Sequence, residues 1–164
     1  MSAIEIRRAQ RGDEAVIVEL LRELADYERL LERFYLREQD VTRDLLGVAP
    51  VMRCDLAFAD GEPAAIMTWY PTYSTFAVEH GIYVEDLYVR PTLRGRGIGR
   101  ALLAHLAKRA MQEGVKKIEW SVLTWNGPSI EFYENLHAER VDDWYIYRLA
   151  GDALAALGEE AREQ

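Results

Sequence analysis

Two hydrophobic rhythms run along the chain, and each predicts an element. Ile4 and Ile6 alternate with Glu5 and Arg7, which predicts a short strand over residues 3–8. From Asp13 onward Val16, Ile17, Leu20, Leu21, Leu24, Tyr27 and Leu31 recur at helical spacing, with charges on the opposite face. A second short helix is predicted over 39–46, stopping near Gly47 and Pro50. Residues 51–59 and 64–70 read as strands joined by Asp60-Gly61, a hairpin signal. The stretch 71–81 is mixed and reads as loop or strand end. A strand over 82–89, a helix over 97–113 and a strand over 117–123 follow. Next come a short helix over 128–135 with Pro128 near its start, and an aromatic strand over 141–149. A terminal helix over 152–162 closes the chain, with 159–164 expected to fray. The order β-α-α-β-β-β-α-β-α-β-α predicts an α/β (mixed α+β) fold. It would be a single domain over 1–164, with a mixed sheet and helices on both faces.

Composition narrows the function classes. The length of 164 residues suits one domain, and 49% apolar with 29% charged residues excludes a disordered chain. With 28 acidic and 20 basic residues the net charge is -8, so a global basic footprint is absent and no nucleic-acid partner is expected. That sign mildly favours cationic small molecules as partners. A single cysteine, Cys54, excludes an intrachain disulfide framework and a multi-cysteine metal centre. No apolar run approaches the ~18 residues of a membrane span. The first eleven residues lack a signal-peptide apolar region, so the expectation is a soluble, cytoplasmic protein with no membrane partner.

Candidate chemistry concentrates in the second half. In the strand over 82–89, alternation places Tyr83, Glu85 and Leu87 on one face and Val84, Asp86 and Tyr88 on the other. Both faces are otherwise apolar, which reads as a central strand, and two carboxylates there need partners. Burial raises a carboxyl pKa, which suits a proton acceptor near neutrality. A structural pair, one member capping a loop and the other bridged to an arginine, stays open as the alternative. Gly95, Gly97 and Gly99 alternate with Arg94, Arg96, Ile98 and Arg100 just before a helix. Such a loop lets backbone N–H groups approach an anion, and the helix start and arginines add positive charge, a site suited to a pyrophosphate. The alternative is an ordinary glycine-rich turn with solvated arginines. It is no dinucleotide fingerprint, because Arg100 stands at the last glycine, and no Gly-Lys-Ser/Thr follows to make a P-loop. Asn126, at a strand-to-helix turn, can hold a ligand carbonyl or amide. The Tyr133 phenol can protonate a leaving group, or be a packed aromatic. His80, His105 and His137 are unpaired by spacing, so no metal site is expected, and Cys54 reads as a core filler. Trp69, Trp120 and Trp144 read as core or interface aromatics, and Trp125 as lining the substrate side.

These segments resemble a known family. The run 94–99 fits the R/Q-x-x-G-x-G/A loop of the GNAT superfamily, the acetyl-coenzyme-A-dependent N-acetyltransferases. Tyr83-Val84-Glu85-Asp86, that loop, Trp125-Asn126 and Phe132-Tyr133 are similar to the spermidine/spermine (diamine) acetyltransferase branch and its thialysine acetyltransferase relatives. Residues 23–28 and Cys54 add to the likeness, which runs from Ile4 to Leu149. The resemblance implies the GNAT fold, a mostly antiparallel twisted sheet flanked by helices. It implies direct attack of an amine on the thioester in a ternary complex, with acetyl-coenzyme A as co-substrate and no metal. Glu85 matches the general base, working through a water, and Tyr133 the general acid for the thiolate. A base is needed because an alkylammonium of pKa about 10.4 is mostly protonated at neutral pH. Leu87, Tyr88 and Val89 would meet the pantetheine arm, and Arg94, Gly95, Arg96, Gly97, Ile98, Gly99 and Arg100 the pyrophosphate. Asn126 and Tyr133 would also contact coenzyme A, and Tyr27, Glu28, Ser74, Phe76, Glu85 and Asp86 would face the acceptor.

The sequence also departs from that branch. His137 stands where a glycine is usual, Ser74 where the spermidine enzymes carry an acid, and residues 139–144 form a shorter stretch than in the animal enzymes. The implied acceptor is therefore a diamine, a polyamine or a lysine- or thialysine-like amino acid. Acetylation of an antibiotic or an α-amine, and a non-catalytic acetyl-coenzyme-A sensor, are the alternatives. The presence of both Glu85 and Tyr133 speaks against the sensor, since binding needs neither. A homodimer is expected by resemblance, with aromatic strands and the terminal helix as its candidate interface.

Overall fold

The structure is a computed structural model that describes residues 4–161. It divides into two compact units, Met1–Leu123 and Thr124–Gln164. The first unit holds strand β1 (Ile4–Arg8), helix α1 (Glu14–Tyr27), helix α2 (Glu38–Asp44) and strands β2 (Arg53–Ala59), β3 (Glu62–Ser74) and β4 (Glu79–Val89). Helix α3 (Ile98–Gln112) and strand β5 (Lys117–Trp120) complete it. The second holds α4 (Gly127–Glu134) and α5 (Gly151–Glu160). The expected terminal strand is absent: residues 141–149 lie outside any helix or strand. The expected Ala3 and residues 162–164 lie outside the described residues.

The five strands lie in the order β1-β2-β3-β4-β5, antiparallel except for the parallel pair β4/β5. The mixed, mostly antiparallel sheet is thus as expected. Asp60-Gly61 makes the tight β2–β3 turn with both residues at positive φ, 53° and 86°. On one face α1 and α2 seal Leu56, Ile66 and Tyr88 with Ile17, Leu20 and Val41. Leu56, Ile66 and Tyr88 are register partners across three strands, so one side-chain row meets the helices. On the other face Arg109 of α3 sits over Trp69, whose partner Arg53 belongs to the opposite alternation from Cys54 and Leu56.

Several boundaries moved. Leu31 is not on α1 but in a 3₁₀ turn over Leu31–Arg33, because the helix closes at Glu28 and the chain then passes through Arg29 at φ 61°. The mixed stretch 71–81 mostly extends the two long strands, since the β3–β4 ladder continues to Ser74↔Glu79. Strand β5 stops at Trp120, three residues short of the expected end, where its pairing with β4 ends. No helix among the described residues is long and apolar enough to cross a membrane.

Candidate active site

The middle of β4 departs from simple alternation. Thr68 pairs with Asp86 but the next residue, Trp69, pairs with Val84, which leaves Glu85 as an extra residue in a β-bulge. The bulge corrects the expected faces. Asp86 stands in register with Thr68 and Cys54, in the row that faces α1, whereas Val84 stands with Trp69 on the α3 side. A second break lies beside it. Among the described residues only Gly81–Val84 pair with β5, so from Glu85 to Val89 the edge of β4 on that side has no strand partner there. Among the described residues the backbone of Leu87, Tyr88 and Val89 therefore keeps its strand pairing with β3 alone.

Three carboxylates share this region. Asp86 accepts a short hydrogen bond from the Thr68 hydroxyl. Its pKa is pushed up to about 6, first by burial, with Thr68 opposing and the negative charges of Glu85 and Glu28 adding to the rise. Glu28, half-buried at the end of α1, has its carboxyl raised by burial. Glu85 itself is exposed. Tyr70 and Tyr83, partners across β3 and β4, stack with centroids 5.4 Å apart. The Tyr70 phenol is raised by burial and then by the Glu85 charge. Tyr83 exchanges a 2.6 Å hydrogen bond with Ser121. Of the two carboxylates expected to be buried in this strand, Asp86 is partly buried and raised in pKa, while Glu85, at the bulge, is open to solvent.

The glycine loop leads directly from the open edge. Gly95 and Gly97 take φ values of 76° and 79°, and Gly97 is the N-cap of α3. A left-handed conformation at both positions is what glycine tolerates and most residues do not. Arg96 and Arg100 are exposed at this helix start, and Ile98 is buried beneath it. Arg94 does more than line the loop. Its Nε donates to the Val89 carbonyl at 3.0 Å, and its guanidinium lies 4.8 Å from the Tyr27 ring and 5.8 Å from Tyr88. It ties the loop to Tyr27 at the end of α1. Arg90 reinforces that junction, donating to Glu23 at 3.0 Å and to the Pro63 carbonyl at 3.0 Å. Burial, then Glu23, push the Tyr88 phenol up to about 12.

Two expected acceptor residues are not brought to the carboxylates. Ser74 pairs with Glu79, six residues from Glu85, which places it roughly 20 Å along the ladder from the bulge. Its hydroxyl accepts from Ala77 N at 3.3 Å within the turn, and Phe76 is 99% exposed at the same tip. Thr68 was missed by sequence reasoning. Its signal, a hydroxyl within the apolar run 64–69, is weak without the register that sets it opposite Asp86.

In the second unit Asn126 is buried, and its Oδ1 accepts from Ser129 N at 3.4 Å, capping α4. Tyr133 lies half-buried on α4, its ring 5.2 Å from Phe132. Beyond α4, His137 takes φ 60° while Ala138 N bonds the Tyr133 carbonyl at 3.2 Å. The left-handed helix end that the absent glycine would supply is thus made by a histidine. Cys54 is buried with its thiol pKa raised by burial, as a core residue rather than a nucleophile would be. Trp69 is core, whereas Trp144 is exposed rather than core.

A bulged strand beside an edge without a strand partner thus runs into a glycine loop at a helix start. Comparison with known proteins gives the class. The model of the Acetyltransferase (GNAT) family matches residues 16–138, and the chain belongs to that family. It is an N-acetyltransferase by this membership and by its named relatives. The chain is 33% identical to thialysine N-epsilon-acetyltransferase of Bos taurus, over 96% of this chain and 98% of that one. It is 29% identical to spermidine/spermine N(1)-acetyltransferase-like protein 1 of Homo sapiens, over 98% of this chain and 24% of that one. Among solved structures, an integron cassette protein from the mobile metagenome of V. cholerae superposes with a TM-score of 0.81 at 22% identity. It covers 95% of this chain and 98% of its own, a likeness of fold.

Proposed function

We propose that this enzyme transfers the acetyl group of acetyl-coenzyme A to the primary side-chain amine of a small cationic acceptor, by direct attack in a ternary complex. The observation that carries the reading is the group of Glu28, Glu85 and Asp86 at the bulge, beside the β4 edge that runs into the glycine loop. The acceptor enters as an ammonium, and three carboxylates draw it in. Asp86 and Glu28 hold it. Glu85, on the bulge and open to solvent, takes the proton through a water. The freed nitrogen then attacks the thioester carbonyl, the carbon–sulfur bond breaks, Tyr133 protonates the departing thiolate, and the second proton leaving the nitrogen restores the phenol. The backbone of Leu87, Tyr88 and Val89 holds the pantetheine arm. The N–H groups of the glycine loop, with Arg96 and Arg100, hold the pyrophosphate, and Asn126 contacts the coenzyme as well.

The acceptor is a lysine- or thialysine-like amino acid in preference to spermine. The likeness to a thialysine enzyme over 96% of this chain and 98% of that one supports this. The enzyme works as a homodimer. Trp144, Tyr145, Ile146 and Tyr147 are between 80% and 92% exposed, and the outer edge of β5 has no strand partner among the described residues. Across two copies, an apolar segment and an open sheet edge complete one another. The test of function is thiol release that requires both acetyl-coenzyme A and a primary amine. Coenzyme A binding without release for any amine would make the protein a sensor.

A further inference from the structure

The opposite face of the sheet carries an arrangement that acetyl transfer does not use. The Trp69 ring is 3% exposed, and its indole N–H donates to Asp55 Oδ2 at 2.7 Å. Three guanidiniums gather on this one ring: Arg8 at 5.1 Å, Arg53 at 5.4 Å and Arg109 at 5.8 Å from its centroid. Acids to balance them are few. Asp55 stands 3.3 Å from Arg8, and Glu113 is 4.0 Å from Arg109. Among the described residues Arg53 forms no ion pair. The like charges are felt: Arg8 is held below the ordinary arginine range by burial and by the charges of Arg109 and Arg53, with Asp55 opposing.

Beside the cluster a cleft of about 290 Å³ opens at the β1 edge of the sheet. Arg8, Arg11 and Arg53 line it, with Leu46 and Pro50 on its apolar wall; Asp55 is not among the lining residues. Strands β2 and β3 separate β1 from β4, so this is not the glycine-loop site. In a chain of net charge -8, Arg8, Arg11 and Arg53 line one cleft; Asp55 faces Arg8 and Glu14 acts on Arg11, while Arg53 has no ion pair among the described residues, so the cleft keeps a local positive field. Planar guanidinium forks match phosphate oxygens in pairs, and the two charges of a diphosphate can engage more than one fork.

We propose that this cleft binds a diphosphate-bearing small molecule through Arg8, Arg11 and Arg53. The indole of Trp69 and the carboxylate of Asp55 position Arg8 and Arg53 for that task. The apolar wall of Leu46 and Pro50 gives a nucleoside diphosphate a place for its base that free pyrophosphate would leave bare. The inference stands independently of the acetyl-transfer reading.

The test removes the glycine loop from the question first. In an Arg96→Gln/Arg100→Gln background, pyrophosphate and ADP are titrated by calorimetry, at low salt and again at physiological salt. The background protein is expected to keep one pyrophosphate site. Adding Arg53→Gln should weaken that site roughly tenfold or more, the loss of one charge-assisted contact. Arg11→Gln, at an exposed position where folding is not at stake, should weaken it in the same direction. Tighter binding of ADP than of pyrophosphate would assign a nucleotide, and the reverse would assign the inorganic anion. No binding in the background, or binding that neither added substitution changes, would overturn the proposal. If pyrophosphate stoichiometry is the same in the wild type and the background, the glycine loop is the reading that fails, and the cleft stands.

Discussion

The Glu85-Asp86 segment and the Trp144–Tyr147 segment are both strand-like by pattern, yet they end in opposite conditions. The first sits in an eleven-residue strand with β3 on one side, and its acids are absorbed by a bulge, a threonine hydroxyl and solvent. The second is as apolar as any strand of the sheet, but it has no helix or strand assignment and its rings stand in water. Alternation chooses faces; a neighbouring strand decides whether the faces are ever used. A polar pair can therefore be at home in a sheet while an aromatic run is not, and both departures mark places where a second molecule is needed. Under the proposed function that molecule is the cationic acceptor for the acids and a second copy for the aromatics.

The largest expected effect falls on the acids. Glu85→Gln should lower turnover on the order of 10²–10⁴-fold, the range for one acid–base group, and most at low pH where the amine is hardest to deprotonate. Near-wild-type turnover across the pH range would remove Glu85 from the proton path. On the other side of the comparison, Ile146→Asp puts a charge into the aromatic run. Light scattering should show the dimer giving way to monomer. A wild-type chain that is monomeric at every concentration would end the strand-completion account.

Asp86 offers a sharper and smaller test. Its folded pKa lies above the ordinary carboxylate value, so the fold favours the protonated acid. Its stabilising contribution is present below pH 4 and is lost as pH rises through about 6. Asp86→Asn keeps an acceptor for Thr68 and removes that penalty. The variant should match the wild type at low pH and exceed it by roughly 3 kcal/mol above neutrality, read from denaturation midpoints across pH. A variant less stable at pH 8 would mean that the ionised acid is well partnered.

How much of this was legible from the residues follows one rule. Asp60-Gly61 announced its turn because both positions need positive φ, a local demand that local residues meet. The glycine loop was legible for the same reason. The bulge at Glu85 was not, because it exists only as a mismatch between two strands. Without it the sequence pattern grouped Val84 with Asp86. Leu31 kept helical spacing after the helix had ended, since spacing cannot see the turn at Arg29. Ser74 was matched by position to an acceptor loop, and the length of the β3–β4 ladder carried it away from the acids. The substitution at 137 was legible as strain, and the smallest prediction follows from it. His137→Gly should stabilise the chain by about 1 kcal/mol or less, because φ 60° costs a histidine more than a glycine. Unchanged or lower melting temperature would show that the imidazole offsets that cost.

The central claim is that the acidic bulge serves a side-chain amine of a small cationic acceptor. Its most direct test is kcat/KM, by thiol release from acetyl-coenzyme A, for thialysine, lysine, a short diamine, spermidine and spermine, in the wild type and in Asp86→Asn. The account predicts highest efficiency with thialysine or lysine, and a loss in Asp86→Asn of roughly one to two decades, the worth of one charge-assisted contact. A tenfold or greater preference for spermine, or a panel left untouched by Asp86→Asn, would contradict it.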